Sequence, residues 1–512
     1  MRGTLVAICL VLACAHQPRP PPLAGWHELR SDHFRLRTDL TPDAARLTLE
    51  RLEVLRAAVQ SAFTVPGDTP DTADVVVLGD TTELLTFTDW LGLATVSGSR
   101  PLLVTAGVST SALQDELPFT AVLAHELTHV LARWRMPSVA PWFEEGLAEL
   151  LGTVQIRDGP RARFGQRGVP PPGATGKYLA GSPPFDPSGS AKAGPPLESA
   201  IMGQLLSLDE LDHLPWQFPT PNAAGLAYRS ARLWVQALRL QDLDRVVALE
   251  TALRRGTPWR TGWADARRGL DVGELGVLVQ QWVIAETLPF EEHPFAAPDL
   301  RSTERTMSPW EVRLVLADLW TLGAPPEQRT ERLGRARTEL EFAAQEAPGE
   351  ALPRVRLAEL EPDPDARLPL AEAVAREHPD STDAAVFLAK ALRDDGRERS
   401  GRSRAIARAV ALAPDDPDAL TAQAMEQARA GQVDAALRTA RRAVAHAPWS
   451  PTAFRVEANL LAAIGRCEEA LDAAQRALGV LPHRAPPELI AAVHRDQTLI
   501  GSSCSRDSAA VH

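Results

Sequence analysis

His125-Glu126-Leu127-Thr128-His129 and, past a turn marked by Pro137 and Pro141, Trp142-Phe143-Glu144-Glu145-Gly146-Leu147-Ala148-Glu149 are the two runs whose reading decides the fold. Apolar residues recur at helical spacing through 117–134 (Phe119, Val122, Leu123, Leu127, Val130, Leu131), which predicts a buried helix. The prolines close it, and 142–150 predicts a second helix that packs back on the first. His125 and His129 stand one turn apart on one face, so both imidazoles can reach a single metal ion. Glu126 projects from a neighbouring face, where a carboxylate can take a proton from a metal-bound water. A third protein ligand is then needed, with the fourth position open; the acidic segment from Glu144 is its nearest source, and the turn carries Glu145 towards the histidines. Two other readings stand beside this one. The histidines can be hydrogen-bonded core residues with Glu144, Glu145 and Glu149 as a solvated acidic face, and Glu144, or Glu149, can replace Glu145 as ligand.

The pattern His-Glu-x-x-His followed by Trp-Phe-x-Glu-Gly-x-Ala resembles the gluzincin zinc metallopeptidases, in particular the thermolysin-like and peptidase-MA-like group. The resemblance covers roughly 26–290 and is specific only over 121–149. It implies an enzyme that holds Zn2+ through His125, His129 and Glu145 and hydrolyses a peptide or protein substrate, with Glu126 as the catalytic general base. It also implies that Glu149 accepts the free ring N–H of a ligand histidine, with glutamate where aspartate is more usual. The family's oxyanion donor would here be Tyr228, one of two tyrosines with Tyr178, and a packing role for Tyr228 stands against that. The implied fold is α+β: a small mixed sheet ahead of a helical zincin catalytic domain. Strand-like runs at 34–40, 74–78 and 101–106 and a helical run at 42–63 are compatible with that order. In the resemblance an edge strand pairs with substrate, a part open to 102–104 or its neighbours, and 102–104 reads equally as a core strand.

The chain has 512 residues, 45% of them hydrophobic, enough for two or three domains with substantial cores. A net charge of −12 argues against a general nucleic-acid surface, so no nucleic-acid partner is expected. Arg2, the short apolar run 5–12 and Val11-Leu12-Ala13-Cys14 resemble a bacterial lipoprotein signal with its lipobox, an ordinary secretory signal being the other reading. Cys14 would then be lipidated, and Ala15 after it implies an exported lipoprotein of the cell envelope, on the outer membrane and facing the periplasm. The apolar run is too short to span a bilayer, so the membrane is a partner through the anchor alone. Cys467 and Cys504 can form a disulfide in such a compartment, or remain two thiols.

Proline-rich 15–25 reads as a tether, 156–198 as a loop or partly ordered insertion, and 205–214 and 223–240 as helices. From 308 the chain turns to Ala/Arg/Glu/Leu-rich helices. Pro414, Pro448 and Pro482 recur every 34 residues, as do the pairs Gly431 with Gly465 and Leu437 with Leu471, and Pro379 and Gly396 extend the pattern at 35. That period resembles the tetratricopeptide repeat (TPR), an all-α solenoid whose stacked helix pairs bind a protein partner. The expected division is a signal at 1–14, the tether at 15–25, a metallopeptidase-like domain at 26–300, repeats at 308–490 and a tail at 491–512. A competing expectation is a non-catalytic TPR scaffold or assembly lipoprotein whose metal site is vestigial.

Overall fold

The computed structural model describes residues 22–65, 73–87, 92–97, 100–106, 117–136, 139–157, 159–165, 205–214, 221–285, 288–322, 328–395, 401–481 and 487–509. The signal segment with Cys14, the tether up to 21, most of the 156–198 run with Tyr178, and Pro137, Gly396 and Pro482 lie outside them. The described chain is mostly helical, with a small mixed sheet near its N-terminus.

That sheet has the order β4-β5-β3-β2-β1-β9, from β1 (His27–Arg30), β2 (Phe34–Thr38), β3 (Ala73–Leu78), β4 (Gly92–Ser97), β5 (Arg100–Ala106) and β9 (Thr303–Thr306). The central pairs β2/β3 and β3/β5 are parallel; β1/β2, β1/β9 and β4/β5 are antiparallel. Beyond Asp74, which pairs with Arg35 and Arg37, β3 runs apolar from Val75 to Leu78 because both its faces are covered. Val75 and Val77 point into one core with Leu36 and Leu103, whereas Val76 and Leu78 point into a second with Leu102 and Val104. Residues 102–104 therefore belong to an interior strand, and β4 forms that edge of the sheet. The core-strand reading holds. β9 also carries the sheet past the boundary expected at 300.

On the first face lie helices α1 (Pro42–Ser61), α3 (Leu117–Arg135) and α4 (Pro141–Leu151), with α6 (Pro221–Gln241), α7 (Leu243–Arg254), α8 (Trp259–Arg267) and α9 (Val272–Ile284) behind them. In α1, Pro42 opens the helix and Ala45, Leu49, Leu52, Leu55 and Val59 form the inward stripe at intervals of three or four. α2 (Thr81–Phe87) and α5 (Leu208–His213) are short. The start of the expected 156–198 loop is instead a second small sheet, with β6 (Gln155–Arg157) paired to β7 (Arg161–Phe164), and β7 to β8 (Glu291–Pro294).

The other face of the sheet is covered by α10 (Pro309–Thr321) and α11 (Arg329–Glu346). Trp320 meets the Phe87 ring edge-on at 4.7 Å, and Arg332 donates to the Phe87 carbonyl. Helix–turn–helix pairs continue from there: α12 (Ala351–Glu359) with α13 (Pro364–Glu377), α14 (Thr382–Asp395) with α15 (Arg402–Leu412), α16 (Pro417–Arg429) with α17 (Val433–His446), and α18 (Pro451–Ala463) with α19 (Cys467–Gly479). α20 (Pro487–Ala509) closes the row, held to α19 by the Cys467–Cys504 disulfide. Gly431 and Gly465 occupy the turns within two pairs at φ +77° and +73°, where a side chain would be strained. Pro414 and Pro448 sit between pairs, where a missing N–H costs no helical bond. The first helices are stitched together by ion pairs: Arg356 with Asp318, Lys390 with Glu359 at 3.2 Å, and Arg393 with Asp418 at 2.8 Å.

The far pairs come back to the first core. Trp449, between α17 and α18, stacks edge-on against Trp134 of α3 at 5.0 Å. Thr261 of α8 donates to Glu468 of α19 at 2.8 Å, and Asp472 accepts the Trp259 backbone N–H.

Candidate metal centre

The centre lies where α3 meets α4, and glycine sets how closely α4 is seated. A Cβ at Gly146 would stand 2.5 Å from the Ala231 carbonyl oxygen and 2.8 Å from Val235 Cγ2, so only glycine lets α4 lie directly on α6. Gly152 ends α4 against α3, where a Cβ would meet the Ala121 oxygen at 3.3 Å and His125 Cβ at 3.4 Å. Trp142 is fully buried, and its Nε1 shares Asp212 Oδ1 with Trp259 Nε1, at 3.1 and 3.0 Å. These contacts leave α4 little freedom to turn about its axis.

His125, His129 and Glu145 converge in that seating. Their donor atoms all lie within 4.8 Å of one another. The two Nε2 atoms are 3.2 Å apart, and Glu145 Oε2 is 3.7 Å from His125 Nε2 and 3.5 Å from His129 Nε2. The remaining ring nitrogens face outward. His129 Nδ1 is 2.9 Å from Glu144 Oε1, and His125 Nδ1 is 3.6 Å from Glu149 Oε1. Glu144 and Glu149 therefore sit behind the histidines, and Glu145 alone among the three glutamates aims between the Nε2 atoms. Glu145 Oε2 is buried and, among the described residues, makes no hydrogen bond beyond its long 3.5 Å approach to His129 Nε2. Such an atom is costly to bury unless something takes its lone pair. Two imidazoles and a carboxylate are also a donor set that suits zinc. By this test the residues fit a divalent metal.

The electrostatics agree with the geometry. Burial alone would raise the Glu144 carboxyl, but the Arg133 charge and the His129 hydrogen bond bring it down to about 2. Burial likewise opposes ionisation of Glu145, and His129 outweighs it. His129 is pushed down by burial and raised further by Glu145 and Glu144, so it lies well above the usual imidazole value. Tyr228, on α6, faces the same acidic group. Its phenol is raised above the ordinary range by the charge of Glu145 first, then by burial, Glu149 and Glu126. Glu126 is half-buried on α3. Sequence reasoning missed Arg133, although it follows His129 by one helical turn on the same face and could have been found by that spacing.

No protein-family model matches this chain, and no curated protein matches it. Solved structures do. The chain is similar to a thermophilic TPR protein of Thermus thermophilus, at 20% identity and TM-score 0.28, over 36% of this chain and 98% of that one. It is also similar to the MamA protein, at 16% identity and TM-score 0.24, over 33% of this chain and 91% of that one. The expectation of a gluzincin zinc metallopeptidase, and with it that of an enzyme, is corrected to what the comparisons give: TPR-type structures over about a third of the chain, with no family model matching. The reason the motif misled is physical. Two histidines and a glutamate on two packed helices make a metal-shaped pocket in any frame, and the pocket does not carry the rest of a peptidase with it.

Proposed function

We propose that this protein is a scaffold whose TPR-type helix pairs bind a protein partner, and that the His125–His129–Glu145 site is structural and takes a divalent cation, Zn2+ by its donor chemistry. What supports the scaffold reading is the row of first helices, joined by the Arg356–Asp318, Lys390–Glu359 and Arg393–Asp418 pairs into one continuous face. The metal reading rests on the unsatisfied Glu145 Oε2 between two Nε2 atoms. When bound, the metal would supply a cross-link between α3 and α4, and mass action would add its binding energy to folding. Glu149 would hold His125 from behind. Glu126 and Tyr228 would line the same space and shape its charge. Residues 1–14 are read as the export signal, with Cys14 carrying lipid to the envelope membrane, which intact mass spectrometry of the exported N-terminus would check.

Elemental analysis tests the metal half. Full-length protein without residues 1–14 should hold one equivalent of zinc, and Glu145→Ala should lose most of it. A folded, zinc-supplemented wild type without zinc would refute the site. For the scaffold half, random peptides displayed on phage are panned on the same protein. Enriched peptides should slow amide exchange along α12, α14, α16 and α18, whereas protection confined to other elements would refute it.

A further inference from the structure

Glu144 and Glu145 are neighbours in sequence and face opposite ways around one imidazole. Glu145 Oε2 approaches His129 Nε2 at 3.5 Å, and Glu144 Oε1 holds Nδ1 at 2.9 Å. That same Oε1 also accepts from Arg133 Nε at 2.9 Å. Arg133 and His129 belong to one helix, four residues apart, while Glu144 comes from the other. Glu144 is only 7% exposed and His129 only 8%, so this chain of contacts is enclosed at its inner end. Arg133 is its outer end, with a quarter of its side chain reaching solvent.

Resting on the metal reading above, we propose that Arg133 is a positioning residue for the site: it fixes Glu144, and through Glu144 it fixes the ring of His129 with Nε2 turned towards Glu145. Two adjacent buried carboxylates repel one another, and without a cation behind it Glu144 would turn towards solvent. That turn frees the His129 ring to rotate about its side-chain bonds and removes the acceptor that holds Nδ1–H. A ligand imidazole needs its outer N–H held so that the inner nitrogen presents its lone pair. The guanidinium is suited to this because its Nε–H lies in a rigid plane and donates across the helix pair to Glu144 Oε1. A lysine at the same position would supply charge without that direction.

The experiment measures zinc Kd by competition with a chromophoric chelator for wild type, Arg133→Ala, Arg133→Lys and Glu144→Gln, and records the imidazole N–H signals of the zinc-loaded proteins by NMR. Arg133→Ala should weaken zinc by about 10- to 100-fold, the range for outer partners of metal ligands, and Arg133→Lys should recover only part of that loss. The hydrogen-bonded His129 Nδ1–H signal should be sharp in wild type and exchange-broadened in Arg133→Ala. If Arg133→Ala lowers thermal stability but leaves both Kd and the Nδ1–H signal unchanged, Arg133 is merely an interhelical ion pair and the proposal is overturned. Should Arg133→Ala fail to fold, Arg133→Lys decides by the same two readouts. Zinc bound equally by wild type and variants overturns this proposal alone; no zinc on a folded wild type overturns it together with the metal reading.

Discussion

Replacing Gly146 by alanine separates local helix preference from tertiary packing, because the two act in opposite directions. Gly146 lies inside α4, where alanine favours the helix by about 0.5–1 kcal/mol. The added Cβ would stand 2.5 Å from the Ala231 oxygen, 2.7 Å from the Ala231 carbonyl carbon and 2.8 Å from Val235 Cγ2. Ordinary contact begins at 3.4 Å, so the closest approach is about 0.9 Å too short and two of the three atoms are backbone. They move only if α4 and α6 separate, and overpacking of this kind costs about 1–3 kcal/mol. The net expectation is a loss of up to about 2.5 kcal/mol, or a midpoint lower by up to roughly 10 °C in thermal unfolding. Since α4 carries Glu145, zinc affinity should fall as well. Gly152→Ala is the internal comparison, because its nearest contact is 3.0 Å and its effect should be smaller. A Gly146→Ala protein more stable than wild type, with unchanged zinc Kd, would show that the α4–α6 approach does not position the site.

Three further outcomes are expected. Reducing the Cys467–Cys504 disulfide, or replacing Cys504 by serine, frees a loop of 37 residues and should cost the α19–α20 end up to about 3–4 kcal/mol, seen as faster amide exchange confined to those helices. Trp449 is 3% exposed against Trp134, so Trp449→Ala should cost about 3–5 kcal/mol and accelerate exchange in the last turn of α3; unaltered exchange there would disprove the seam. Glu291 is opposed by burial but held down to about 2 by Arg239 and His293, below the unfolded carboxyl value near 4.3. Its stabilisation is therefore complete above about pH 5 and is lost as pH falls towards 2, a contribution of about 2–3 kcal/mol. Glu291→Gln should flatten the acid limb of stability over that window and be less stable at pH 7, where the buried Arg239 loses its closest counter-charge and keeps Glu250 at 3.9 Å; an acid limb as steep as wild type would refute this.

Much of the local structure was legible in residue order. The helices carrying His125 and His129, and Glu145, are amphipathic runs bounded by prolines, and short-range spacing settles such elements before any tertiary contact. Pro414, Pro448, Gly431 and Gly465 likewise marked the turns of the later helix pairs. Less was legible where distant parts meet. Residues 102–104 became an interior strand because β4, next to them in sequence, took the edge, and an apolar run alone does not tell edge from centre. The 156–198 run hid β6 and β7, which are short, polar strands completed by β8 more than a hundred residues later.

The sequence by itself determined that His125 and His129 could meet one metal, because their spacing on one helix is a property of helical geometry; it brought the acidic run 144–149 near them without choosing among Glu144, Glu145 and Glu149. The larger inference, from that motif to a peptidase, failed because a constellation of three side chains does not specify its frame. Only tertiary structure decided the outward roles of Glu144 and Glu149, the part of Arg133 behind Glu144, and the need for glycine at 146. Each depends on how α4 is rotated against α3 and α6. That rotation is set by contacts from Ala231, Val235, Asp212 and Trp259, residues far along the chain whose nearness no local pattern records.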